Sequence, residues 1–560
     1  MLHNSESTAV RPAPAERGPV EPASPSTEHP HAVDSHAWRG RGGWTRGAIP
    51  LRIFLTCWIV YALHFATDIV REHYPAVALG DDFSFRVDDY GGLHPDLFET
   101  PDRGWHIGNN PGVSMLAAIP YFLARPVIDP LTELVRARRA ASGQTTPPEF
   151  STPRPNARRF FAEAWRRGLD VKLGLAAWVM HVLLMAPSSA AGAVLVFLAL
   201  RHVTQSAQTA TWLALLYAFG TPVFFRTGFL NHNLMLGHIA FAGFIMLWNP
   251  GDLTRLSVRT RHILAGVAGG TAVLFDYSGV VFLLGLFAYA LVRRYILSTP
   301  RAALVQGFWY VLGSVPPILL LWFYQWRAFG NPFLPGQHWM PPVEFIDRGY
   351  QGYGGPQLNL LVSLLFDHRY GLLAAAPLLA LAFAAPWLRD RRRALPRIEE
   401  LACLGLFVAL WVFFSGNNYT RLQWNTGIRY MTPILPFLFL PAAAVLLRLP
   451  RLLLYVAGIG SVVLGWCMAM NREVWRPLGV LDPVVRVFTG GFELPVLTTV
   501  ERMSGMFGDL VSRGVSPLPL FALAGVAIYL LWTPRFRSAP QMNPGSGAPA
   551  QAFPVGKGRS

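Results

Sequence analysis

Carboxylates and imidazoles crowd one stretch, Leu79–Met115, in a chain that is otherwise poor in acids. Asp81, Asp82, Asp88 and Asp89 precede Tyr90; His94, Asp96, Glu99, Asp102 and His106 follow, and Asn109-Asn110-Pro111-Gly112 closes the run. A carboxylate so placed can take the proton from an acceptor hydroxyl or help to hold a divalent cation. Asp88-Asp89-Tyr90 and His94-Pro95-Asp96 are the tightest groupings. Asp81 and Asp82 are better suited to capping a surface helix. No set of metal ligands with recognisable spacing stands out, so a divalent cation remains only an option.

Cationic and aromatic partners come later. Arg226 and His232 flank a polar turn and could bind a phosphate. Asp276, in Phe-Asp-Tyr-Ser-Gly, places an acid between two apolar halves, where a charge is costly and tends to mark a site or a pairing. Arg369 and Tyr370 stand just before an apolar run, and Trp424 and Arg429 just before another. A guanidinium at a bilayer edge can grip a phosphate with paired N–H donors; indole and amide groups suit sugar faces and hydroxyls. An ordinary interfacial anchor is the bland reading of the same residues.

These residues need a frame, and composition supplies it. Of 560 residues 52% are hydrophobic and 14% charged, with a mean hydropathy of +0.33. Apolar runs recur from Pro50 to Trp532, and about 20 apolar residues make a helix long enough for a bilayer. The expectation is an all-α polytopic transmembrane protein of about 11–13 spans. A soluble multidomain protein is excluded. The net charge of +16 comes from short basic clusters between apolar runs, the pattern of cytoplasmic loops and not of a nucleic-acid surface. Cys57, Cys403 and Cys467 lie in or beside apolar runs at unrelated spacings, which implies buried small hydrophobes and neither disulfides nor zinc.

In chain order, residues 1–47 read as a disordered cytoplasmic tail, 48–534 as the membrane domain and 535–560 as a second disordered tail. A first span over about Leu51–Ile69 delivers the acidic stretch to the far side, as the first extracytoplasmic loop. Pro111–Ile128 is apolar but broken by Pro120 and Pro126. Residues 129–172 carry nine Arg/Lys against five acids, which argues for the cytoplasm. Leu173–Leu200, however, is best read as a single span kinked at Pro187, because each half would reach only about 21 Å. Parity then keeps 129–172 outside and makes 111–128 a juxtamembrane helix. The loops 226–232, 276–279, 327–370 and 416–429 share the acidic stretch's side, as does 471–516, which is long enough for short surface helices.

DDFSFRVDDYGGLHPDLF, NNPGVSMLAAIPYFLARP, GNPF, FDHRYGLLAAAPLLAL and WNTGIRYMTPILPFL together resemble the C-type membrane glycosyltransferases. That superfamily includes the protein O-mannosyltransferases and aminoarabinose transferases, and uncharacterised bacterial members are nearest in pattern. The motifs are short, and the resemblance covers about residues 50–450. It implies inverting transfer of a sugar from a polyprenyl-phosphate donor to a hydroxyl acceptor (glycan, lipid or protein), at the outer face of a bacterial inner membrane. Carried onto this chain, it makes Asp88 or Asp89 the base, with Asp82 kept among the candidate acids. Arg369 and Arg429 would hold the donor phosphate and Trp424 or Tyr370 line the sugar site, with His94, Asn110 and His232 as further substrate contacts. A transporter or flippase of lipid-linked sugars is the main alternative, kept open by Asp276 and the proline-broken spans; a non-catalytic envelope scaffold is a third.

Overall fold

The computed structural model describes residues 48–152, 154–342, 349–388, 390, 394–421, 427–471, 478–502 and 515–533. Both expected tails, and Trp424, lie outside the described residues. The fold is a helical membrane bundle with one small β-ribbon. Helices α1 (Ala48–Leu63) and α2 (His73–Asp82) are followed by strands β1 (Leu97–Thr100) and β2 (Gly104–Ile107), paired antiparallel with Leu97 opposite Ile107. The chain continues through α3 (Gly112–Ala141) and α4 (Pro155–Arg166) into α5 (Asp170–Met180), a wide turn over His181–Met185, and α6 (Ala186–Thr204).

From Asp170 to Thr204 the helix is unbroken, 35 residues long, so the single-span reading holds. Pro187 cannot donate a backbone N–H, and the widened turn just before it absorbs the missing bond without breaking the rod. Then come α7 (Ala207–Gly220), α8 (Val223–Thr227), α9 (His232–Trp248), α10 (Val258–Phe275), α11 (Gly279–Leu297) and α12 (Pro300–Phe329). Beyond α13 (Leu358–Phe366) and α14 (Leu372–Ala375) lie α15 (Arg397–Ser415), α16 (Leu435–Leu446) and α17 (Arg451–Met470). Surface helices α18 (Asp482–Gly490) and α19 (Pro495–Arg502) occupy the expected long loop, and a final apolar helix covers Leu518–Trp532.

Among the described residues five helices are long and apolar enough to cross a bilayer: 170–204, α11, α12, α15 and α17. Their outward faces carry bare Leu, Val, Phe and Trp, including Leu304, Phe308 and Leu319 of α12 and Leu452 and Ile459 of α17. Water would penalise such a surface, whereas lipid tails accept it. The protein is therefore an integral membrane protein. Cys57, Cys403 and Cys467 are buried free thiols.

Two ends of the bundle differ in chemistry. At one, Arg261 and Arg293 donate to the Met246 and Trp248 carbonyls that end α9, and Arg293 pairs with buried Glu399 at 2.9 Å. Cations at a helix C-terminus satisfy its free carbonyls. At the other end α1 and α10 finish and α9 and α11 begin, and here the acidic segments gather. Helix α3 starts at this second end, where Asn110 donates to the Val273 carbonyl of α10 (2.6 Å). It also finishes there: Arg139 grips Asp170, the first residue of the long span, through two bonds of 2.9 and 2.7 Å. The His202 ring, at the far end of that span, lies 6.0 Å from the Trp248 ring at the basic end. Both ends of α3 thus lie on one side, and the helix does not cross.

That arrangement has a direct test. Cysteines introduced singly at exposed Glu99, Gln144 and Ser298, in a background whose native thiols are buried, should divide two against one. Glu99→Cys and Gln144→Cys should react with an impermeant maleimide from the same side and Ser298→Cys from the other; Gln144→Cys reacting with Ser298→Cys would make α3 a span.

Candidate functional site

The acid-bearing end holds a cleft where Arg71, Glu72, His94, Asp96, His232 and Arg429 converge. They arrive from four different local structures. Arg71 and Glu72 stand in the turn between α1 and α2. His94 and Asp96 lead into β1, His232 opens α9, and Arg429 ends the irregular segment before α16. A fixed relation between α9 and that segment comes from Gly237: a Cβ there would stand 2.7 Å from the Cα of Pro433, so only glycine permits the approach.

Glu72 is the hub. It is nearly fully buried, its Oε1 lying 2.6 Å from His232 Nδ1 and 3.2 Å from Arg71 Nε. Asn109 donates to the same oxygen (3.3 Å), and Ser114 at the start of α3 donates to the Glu72 backbone carbonyl (2.8 Å). Burial alone would raise the Glu72 carboxyl, but the charges of His232 and Arg71, with the His232 hydrogen bond, hold it well below the usual carboxylate range. Arg71 spans the cleft wall: its Nη1 reaches Asp96 Oδ2 at 2.8 Å. Asp96 is also held below its ordinary value, burial being outweighed by Arg71 and His94. It keeps 29% of its side chain exposed, against 4% for Glu72. Of these two carboxylates, Asp96 is the one a substrate can meet.

His94 accepts the backbone N–H of Asp96 on Nδ1 (3.1 Å), which leaves Nε2 to carry the proton of the neutral ring. Burial, helped by Arg71 and Arg429, lowers its pKa and favours that neutral form. His232 turns Nε2 towards Asp276 Oδ2 at 3.6 Å. Asp276 is itself oriented by the backbone N–H and hydroxyl of Ser278 (2.9 and 2.6 Å). Paired carboxylates, a neutral imidazole and half-buried Arg429 at one mouth can take a proton on one side and meet phosphate charge on the other.

The sequence-based candidates divide sharply. His94, His232 and Arg429 line the cleft. Asp88, Asp89 and Asp82 do not. Asp88 pairs with Arg86 at 2.6 Å and accepts the backbone N–H of Trp105 at 2.7 Å, so it braces the β-ribbon. Asp89 is exposed and Asp82 ends α2 in the open. Asn110 is buried but directed to α10. Arg369 pairs with Asp367 (3.2 Å) outside the cleft lining, and buried Tyr370 adjoins it. Arg226 is 2% exposed, and its guanidinium donates to the carbonyls of Gly427 and Ile428. It also lines the cleft, and through those two bonds it holds the segment that carries Arg429.

Arg71 and Glu72 are absent from the sequence-based candidates because they lie before Leu79, where the dense acidic run begins. A signal was present: Arg71-Glu72-His73 is a charged triplet directly after an apolar span. Among the described residues no group of three or more His, Cys, Asp or Glu is arranged to hold a metal ion.

Glu72→Gln should destabilise the protein by on the order of 3 kcal/mol at pH 7, since removing one partner strands buried Arg71 and His232. Because the folded-state pKa is depressed, the Glu72 contribution is present above the ordinary glutamate value of 4.5 and lost as pH falls below it. Thermal unfolding in detergent from pH 7 downward should show wild type and variant converging only under acid conditions.

No family model matches the chain, and no curated protein does. Two solved structures are similar to it. The crystal structure of ArnT from Cupriavidus metallidurans bound to undecaprenyl phosphate aligns with a TM-score of 0.45 at 18% identity, over 86% of this chain and 75% of that one. The apo state of the same ArnT aligns with a TM-score of 0.45 at 17% identity, over 86% and 74% of the two chains.

Proposed function

We propose that the protein is an inverting glycosyltransferase that moves a sugar from a polyprenyl-phosphate donor to a hydroxyl acceptor. The observation that carries this reading is the meeting of Asp96 and Glu72 with Arg71 and Arg429 in one cleft at the end of a membrane bundle. A lipid-linked donor needs its reactive carbon held at that level, with its tail left among apolar helix faces. The basic clusters at the opposite end favour a cytoplasmic position for that end under the positive-inside bias, which turns the cleft outward.

In the reaction, the acceptor oxygen forms a bond to the anomeric carbon as the bond from that carbon to the phosphate oxygen breaks. The electron pair leaves with the phosphate, and the acceptor proton passes to Asp96. Asp96 is ionised at neutral pH and so stands in its accepting form; Arg71 fixes its direction. Arg429 meets the charge that grows on the departing phosphate. Glu72 positions: it orients Arg71 and His232 without needing to touch substrate. His94 can donate from Nε2 to a sugar or phosphate oxygen.

Purified protein in nanodiscs, given a panel of prenyl-phosphate sugars and hydroxyl acceptors, should release prenyl phosphate and form glycoside. Asp96→Asn should lower turnover about 1,000-fold, the scale of losing a positioned base, and should lower the melting temperature less than Glu72→Gln does, because the Arg71 ion pair it breaks is the more exposed one. Arg429→Ala should raise the donor KM, and Asp89→Asn should leave turnover intact. Movement of the intact sugar lipid between leaflets without product would replace this reading by transport.

A further inference from the structure

Asn233 is the second residue of α9 and lines the cleft beside His232. It is 1% exposed, and both its Oδ1 and its Nδ2 are buried without a hydrogen-bond partner among the described residues. Its neighbours differ. Asn231 caps α9 by accepting the Leu234 backbone N–H (3.1 Å), and His232 is bound by Glu72. A buried carboxamide with neither end satisfied costs roughly 1–3 kcal/mol for each lost bond, and packing alone would favour leucine there. The first turn of α9 adds backbone N–H groups with no partner inside the helix.

The two idle atoms specify the ligand. Nδ2 must give a hydrogen and Oδ1 must receive one. A phosphodiester monoanion only accepts, so it cannot satisfy Oδ1. A hydroxyl both donates and accepts, and a pair of adjacent sugar hydroxyls meets both atoms at once. We propose that Asn233 is the hydroxyl anchor of the cleft, binding a vicinal diol of the transferred sugar while Arg429 takes the phosphate. Asn233 thereby selects sugars that keep that diol and rejects deoxy analogues. This rests on the glycosyl-transfer reading for the identity of the ligand, although binding can be measured without turnover.

The test uses full-length protein in detergent and farnesyl-phosphate mannose, glucose, galactose and arabinose, with their monodeoxy analogues. At least one hydroxylated donor should raise the melting temperature of the wild type, and one of its deoxy analogues should bind about 10- to 100-fold more weakly. Asn233→Leu should melt higher than wild type without ligand and lose the discrimination between the two donors. Asn233→Gln, which restores the amide, should recover part of it. Stabilisation by no member of the panel, equal binding of every deoxy analogue, or an Asn233→Leu protein that melts lower yet still discriminates would each overturn the assignment. Discrimination in binding without product would leave Asn233 in place and remove only the transferase.

Discussion

A single buried carboxylate organises the cleft. Glu72 would be expensive to bury alone, because a desolvated charge loses far more from water than one neighbour returns. Here it has Arg71, His232 and Asn109 on one side chain and Ser114 on its backbone. Those partners come from the turn after α1, the start of α9 and the approach to α3. Satisfying one acid therefore draws three distant parts of the chain together. The cleft is what remains between them.

The constraint passes outward from Glu72 to the groups at the cleft mouth. Arg71 cannot relax, since Glu72 holds Nε and Asp96 holds Nη1, so Asp96 is fixed in direction while 29% of its side chain stays open. His232 is held on Nδ1, which leaves Nε2 for the Asp276 side. Arg226 performs the matching task on the other wall by clasping the carbonyls of Gly427 and Ile428, immediately before Arg429. Rigid support from buried charges and freedom for the outer ones is the arrangement that preorganised chemistry requires.

Asn233 is the exception to this pattern of satisfied polarity. Glu72, Arg71, Asp96 and His232 each have polar partners from the protein, whereas Asn233 has a buried donor and a buried acceptor with none among the described residues. Cores tolerate such a group poorly. The proposed hydroxyl ligand would offset that cost from the cleft side.

Much of this was legible before any coordinates. Apolar run length announced a membrane bundle, and parity with the kink at Pro187 kept α3 from crossing, because both follow from one-dimensional patterns of hydrophobicity and charge. Of the residues named from type and loop position, His94, His232 and Arg429 line the cleft, whereas Asp82, Asp88 and Asp89 from the acidic run do not. Which acids line the cleft was not legible. Asp88 and Asp96 are equally acidic letters eight positions apart, yet one braces a hairpin through Trp105 and the other looks into a cleft, and only the β-ribbon register separates them. Arg226 and Arg429 likewise read alike as free cations. Chain packing buried the first against two carbonyls and left the second at the mouth, since hydrogen-bond partners two hundred residues apart are chosen by the tertiary fold and not by local sequence.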